Sequence, residues 1–320
     1  MTAAAENLAR VETCHGSLNT LQEARMAHSH LIVGAADGSA APTIRRIGFA
    51  DLKDALSQGA DDFLAMPTHA IFLCVIYPLI GLIAARLAFG YSVLPLLYPL
   101  ATGFALVGPL AALGLYELSR RREQGLDTSA SHAFDVFRSS SIGGIVVLGL
   151  LLTLLFGLWM AAANAIYIDN FGYKPPASIA AFISAVLTTE PGWNLIIVGN
   201  IVGLIFAAVA FTLTVVSFPM LLDRDVGAAG ALLTSIRAVI ANPLVMAVWG
   251  LIVAALLLVG SLPFFIGLTV VMPILGHATW HLYRKLVVAD ESPQPTYRDD
   301  SQRVRRPAAD FPAALFPWRK

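Results

Sequence analysis

The chain has 320 residues, 57% of them hydrophobic and 13% charged, with a formal net charge of zero and a mean hydropathy of +0.71. Soluble domains carry about a quarter charged residues, so apolar surface in this excess needs a bilayer to solvate it. The balance excludes a soluble globule, and no basic block with interleaved aromatics supports a nucleic-acid partner. Two cysteines, Cys14 and Cys74, share no CxxC spacing and support neither a disulfide framework nor a zinc site.

Residues 1–44 are polar and small, without a sustained apolar period, and read as a disordered cytoplasmic tail. The first apolar run begins near residue 68, behind this polar stretch, so no cleavable signal peptide is expected. Six apolar runs then reach the length of about 20 residues that a membrane span needs. They are Thr68–Phe89, Val93–Leu115, Ile142–Ile168, Trp193–Leu222, Pro243–Gly260 and Leu262–Leu282. Gly260, Ser261 and Pro263 punctuate the last long stretch and divide it into two spans. Residues 289–320 are rich in Pro, Asp and Arg and read as a second disordered tail. The membrane domain is therefore 45–288.

Lysine and arginine set the orientation. With the N-terminus inside, nineteen of the 21 basic residues lie in cytoplasmic segments and only Arg86 and Lys174 lie outside. Both termini are then cytoplasmic. Merging the fifth and sixth runs would move the basic C-terminal cluster outside, so the charge rule also favours six spans.

A short amphipathic segment precedes each pair of spans. Phe49–Leu64 places Phe49, Leu52, Leu56, Ala60 and Phe63 on one face. Ser129–Arg138 does the same with Ala130, Ala133, Phe134 and Phe137, and Gly230–Ile240 with Leu232, Ile236, Val239 and Ile240. Such helices can lie flat in the headgroup region. Ala55, Leu56, Ala65 and Pro67 match Ala231, Leu232, Ala241 and Pro243 at a constant offset, and Pro109–Arg120 has the spacing of Pro273–Arg284. Pro219 sits at a similar depth in the fourth run. The expected fold is all-α and integral to the membrane: six transmembrane helices as three hairpin repeats, each preceded by a short cytoplasmic interfacial amphipathic helix.

The segments RRIGFADLKDALSQGADDF, LGLYELSRRREQG and PILGHATWHLYRKLV resemble, in that order, the proteobacterial membrane family named domain of unknown function 2189. The resemblance spans about 45–288 and implies a bacterial inner-membrane protein. Some members carry the label cytochrome c oxidase subunit I. That label implies twelve spans and intramembrane histidine ligands, whereas none of the seven histidines here falls at mid-span.

Few residues can carry chemistry. His277 and His281 are one helical turn apart, a spacing able to hold a metal ion, and the repeat places Glu117 opposite His281. His69 and His132 belong to the same boundary. The simpler reading makes Trp280, His281, Tyr283 and Arg284 an interfacial belt. On that reading no metal, haem or other cofactor is expected. Asn164, Asn194, Asn200, Thr212, Thr214 and Ser217 either line a cavity or pair helices. Residues Asp169–Gly192 form the one sizeable outer loop, with Ile179, Phe182, Ile183 and Val186 as an apolar stripe. P-loop, GxSxG and paired-carboxylate patterns are missing from the sequence, so no catalysis is expected. The leading expectation is a membrane protein that handles or transports a small molecule or lipid between its hairpins. The alternatives are a structural or regulatory component that binds partners through its tails and interfacial helices, and a haem or metal redox protein resting on His277 and His281 alone. The lipid bilayer is the one partner the sequence itself names.

Overall fold

The computed structural model describes residues 42–66, 94–104, 108–262, 266–288 and Pro295, and over these it is all-helical. The first expected span, His69 and both expected tails beyond these limits lie outside the described residues.

Helix α1 (Phe49–Ala65) starts where the Gly48 N–H donates to Asp51 Oδ2 at 2.8 Å. A 3-10 turn (Leu94–Leu96) leads into α2 (Leu97–Phe104), α3 (Gly108–Ala111) and α4 (Leu113–Glu123), which occupy the second expected span and its basic end. The second amphipathic segment, Ala130–Arg138, is a 3-10 helix. Helix α5 (Ile142–Phe171) is apolar around its whole circumference and stops at Gly172, whose φ of 72° suits glycine. Helix α6 (Ile179–Thr188) begins at Ser178, whose hydroxyl accepts from the Ala181 N–H at 3.1 Å, and it buries no residue. It carries the expected apolar stripe of Ile179, Phe182, Ile183 and Val186. Helix α7 (Glu190–Thr214) is capped by Thr189 and has Pro191 in its first turn. Helices α8 (Ser217–Asp223), α9 (Gly227–Ala241), α10 (Pro243–Ser261) and α11 (Leu268–Leu286) complete the order. The sixth helix thus runs one turn beyond the expected Leu282.

Among the described residues, three helices are long and apolar enough to cross a membrane: α5, the Glu190–Asp223 segment made of α7 and α8, and α10. At most a third of each apolar window is buried (28%, 33% and 17%), which leaves most of it for lipid. Trp159 of α5 anchors the packing among them. Its Nε1 donates to the Pro99 carbonyl at 2.9 Å, and Phe206 of α7 packs against its ring. Gly103 and Gly203 make room for it, since a Cβ at either would lie 2.7 and 3.0 Å from the indole. Of the expected intramembrane polar residues, Asn194, Asn200 and Ser217 pair helices, whereas Thr214 bonds within its own helix. Tyr98 donates to Asn200 at 2.7 Å, and Asn194 donates to Asn170 at 2.8 Å.

Pro219 breaks the fourth span. It has no N–H for the Val215 carbonyl, and the helix is interrupted at Val215–Val216. Ser235 of α9 fills the gap: its hydroxyl donates to the Thr212 carbonyl (2.7 Å) and accepts from the Val216 N–H (3.3 Å). By contrast α11 stays continuous through Pro273.

The amphipathic segments differ from expectation in what their apolar faces meet. Helix α1 has the expected bounds, but Leu52, Ala55, Gly59 and Asp62 are buried, and the helix packs on α11 rather than lying against headgroups. The approach is close because a Cβ on Gly59 would stand 2.5 Å from the Ala278 nitrogen. Helix α9 packs on α8 and α7, and the 3-10 helix packs on α4. Of the expected stripes, Phe49, Phe134, Phe137 and Ile240 stay exposed, and the buried faces carry small residues instead, Ala55 and Gly59 in α1 and Ala228, Ala231, Ser235 and Ala238 in α9.

Just before α1 the chain is clipped to the end of α11. Arg45 N donates to the Leu286 carbonyl (2.8 Å) and Val288 N to the Thr43 carbonyl (2.9 Å). Asn242, between α9 and α10, accepts from Ile47 N at 2.9 Å and donates to the Arg45 carbonyl at 3.0 Å. These bonds fix where α1 begins and so where Asp62 lands.

Candidate functional site: a buried polar layer at the charged end of the bundle

The ends of α4, α8 and α11 contact one another, and α1 covers α11 from outside. Helix α4 ends in the run Ser119–Glu123 and α11 in Trp280–Lys285, so charged side chains are brought into an interior. Charge removed from water is costly unless paired and hydrogen-bonded, and each carboxylate here has partners.

Asp62 of α1 is the first centre. Its Oδ2 accepts from the Ser119 hydroxyl at 2.5 Å and from His281 Nε2 at 2.9 Å, and Arg122 donates to its Oδ1. His277 Nδ1 lies 2.7 Å from Ser119 Oγ and 3.9 Å from Asp62 Oδ2. Ser119 and His277 are fully buried, and Asp62 is 4% exposed. Burial on its own raises the Asp62 carboxyl. The hydrogen bonds from His281 and Ser119 outweigh it and hold the carboxyl below its ordinary value.

Asp223, at the end of α8, is the second centre. Its Oδ2 accepts from the Tyr283 hydroxyl at 2.6 Å and from Arg284 at 3.2 Å. Arg284 also donates to Glu123 at 3.0 Å, and the Trp280 indole donates to the other Glu123 oxygen at 3.0 Å. Trp280 and Tyr283 are each 1% exposed, so they are core residues and not the expected interfacial belt. Their polar tips go to carboxylates, buried Asp223 for Tyr283 and exposed Glu123 for Trp280, instead of headgroups.

Glu117 does not join the histidines. It is buried, but Arg120 binds both of its oxygens, at 2.8 and 2.7 Å, and Arg121 stands 4.0 Å away. The repeat placed a carboxylate beside His277 and His281, and a carboxylate is there, but it is Asp62 from another helix. The ring nitrogens that face it, His277 Nδ1 and His281 Nε2, are taken up by Ser119 and Asp62. His132 lies apart, bonded to Asp135 at 2.6 Å and Asp127 at 3.1 Å.

Sequence reading missed Asp62, Ser119, Arg122, Glu123 and Asp223. One signal was present for Asp62. The stripe of α1 was assigned to Leu52, Leu56, Ala60 and Phe63, while the buried register is Leu52, Ala55, Gly59 and Asp62. Small residues at 55 and 59 allow the closest helix approach, and a lone carboxylate one turn further on the same line is placed to be buried.

Residues 96–223 match the model of a protein family described as predicted integral membrane protein (DUF2189). The match runs from α2 through α8. Comparison with curated proteins and with solved structures gives no match. Together with the lipid-ready helices, it identifies an integral membrane protein.

Proposed function

We propose that this is a six-span bacterial inner-membrane protein with both termini in the cytoplasm, and that it handles a small molecule or lipid without covalent chemistry. On this reading the polar layer is the gate at its cytoplasmic end. The observation that carries it is the junction of α4, α8 and α11, closed by two buried, hydrogen-bonded carboxylates, Asp62 and Asp223, where aliphatic packing would hold helices together at least as well. Charged groups inside a membrane protein commonly mark a pathway.

A threefold arrangement supports the same reading. Helix α1 packs on α11, the 3-10 helix on α4, and α9 on α8. Each amphipathic segment therefore docks on the final helix of the preceding unit, and the first docks on the last, which closes a ring. The four buried residues of α1 (52, 55, 59 and 62) and four of the six buried in α9 (228, 231, 235 and 238) also share one offset. Repeats that meet at a shared site are a frequent transporter design.

Topology is tested first. Alkaline phosphatase fused after residue 175 is expected to be active, and fused after residue 125 or 290 inactive; activity at 290 rules out six spans. Function is tested in a deletion strain by metabolite and lipid profiling with uptake assays. One solute or lipid class is expected to change and to be restored by the wild-type gene but not by Asp62→Asn made at equal level. The second reading, a structural or regulatory component, draws on the tightly paired, closed end. An unchanged profile with loss of a crosslinked partner assembly selects it.

A further inference from the structure

The bonds around Asp62 have a direction. The Ser119 hydroxyl has one proton, and it is donated to Asp62 Oδ2. Ser119 Oγ must then accept from His277, so His277 Nδ1 carries hydrogen. A neutral imidazole has one N–H, which leaves Nε2 with a bare lone pair. That atom is fully buried and has no hydrogen-bond partner among the described residues. From the other side His281 Nε2 donates to the same carboxylate oxygen. The array runs from His277 through Ser119 to Asp62, with every hydrogen aimed at Asp62.

We propose that His277 Nε2 is a proton-acceptor site and that Ser119 relays its proton to Asp62. A proton arriving at Nε2 makes an imidazolium. The Nδ1–H bond then breaks as a new Ser119 O–H forms, and the original Ser119 O–H breaks as Asp62 Oδ2–H forms. His277 ends neutral as the Nε2–H tautomer, Ser119 is again a hydroxyl, and Asp62 is a carboxylic acid. One proton has moved, and an imidazolium–carboxylate pair has become a neutral pair. The groups facing the relay are Asp62 from α1, Ser119 and Arg122 from α4, and His281 from α11 itself. Glu117 and Glu123 are turned to Arg120 and to Trp280 with Arg284. Arg122 and His281 keep Asp62 anionic at rest and so hold it ready to receive. Their side chains are 40% and 13% exposed, which gives the relay its solvent edge.

This inference does not depend on solute handling, and its test uses no solute. The full-length chain is placed in lipid nanodiscs with 15N-labelled histidine. At neutral pH one histidine, identified by its loss in His277→Gln, is expected to be protonated at Nδ1 and bare at Nε2. On acidification a carboxylic-acid carbonyl band, absent in Asp62→Asn, is expected in infrared difference spectra together with a switch of that histidine to Nε2–H. Ser119→Ala is expected to abolish the switch, and Ser119→Thr to restore it. A resting Nε2–H tautomer, or a switch that survives in Ser119→Ala, overturns the relay. The resting tautomer is read on the unmutated chain, so it decides the question even where a variant fails to fold.

Discussion

Helices α1 and α9 bury matching positions, yet the contents of those positions differ. Where α9 has Ser235 and Ala238, α1 has Gly59 and Asp62. In α9 the hydroxyl mends a backbone break caused by Pro219, and the next buried position is a methyl. In α1 the glycine lets two backbones approach, and the next buried position is a carboxylate that binds three side chains. One helix register can thus serve as scaffold or as an ionisable site, and a single side chain separates the two.

Four substitutions and one pH scan test that contrast, the largest effect first. Asp62→Ala strands Arg122 and two histidine-side donors in an interior. It is expected to cost about 3 kcal/mol, at the lower end for a broken buried pair because Arg122 keeps solvent contact. Detergent unfolding reads this, and equal stability for Asp62→Ala and Ala238→Gly would put both helices in the scaffold class. Gly59→Ala forces a methyl onto the Ala278 backbone and is expected to cost about 1–3 kcal/mol by overpacking. Protease cleavage just before α1 should rise in step. Ser235→Ala removes bonds to Thr212 and Val216 and is expected to cost about 1 kcal/mol. Hydrogen exchange should quicken at Val215–Ser217 and leave α1 protected. Lys285→Ala removes the half-buried partner of exposed Asp54 and is expected to leave stability and α1 docking unchanged in the same assays.

The pH dependence follows from Asp62. Its folded value lies below the ordinary 3.8, so the stability it adds is fully present above that value and is lost as pH falls through the folded value. Acid release of α1, followed by protease access, is expected in the wild type below about pH 4. In Asp62→Asn the acid step should vanish, and an unchanged step assigns it to another group.

Part of this architecture was legible in the chain. Length, hydropathy and composition identify a membrane protein, and the residue spacing predicts amphipathic segments at Phe49–Leu64 and Gly230–Ile240 close to their observed bounds, Phe49–Ala65 and Gly227–Ala241. Proline and glycine punctuation separates the last two helices. These features are local, because helix period and turn residues act within a few positions. Spacing also marked His277 and His281 as neighbours, since one helix carries both.

Their carboxylate could not be found in the same way. Glu117 was chosen by repeat arithmetic, but arginines three and four residues along its own helix claim it first. Asp62 arrives from a helix whose position depends on the clip between Thr43–Ile47, Asn242 and the end of α11, contacts that each span 195 residues of sequence or more. The docking of the amphipathic helices on their neighbours has the same origin. An apolar face does not encode whether lipid or protein will cover it, because both are apolar and transfer between them changes little free energy. Close packing at Gly59 against Ala278 decided it, and that contact exists only once α1 and α11 are side by side. The residues themselves thus determined the membrane class and the individual helices, through local periodicity and the cost of exposing apolar surface to water. Tertiary structure alone decided which helix α1 covers and which buried carboxylate the histidines meet, because burying charge is feasible only where distant chain segments supply its partners together.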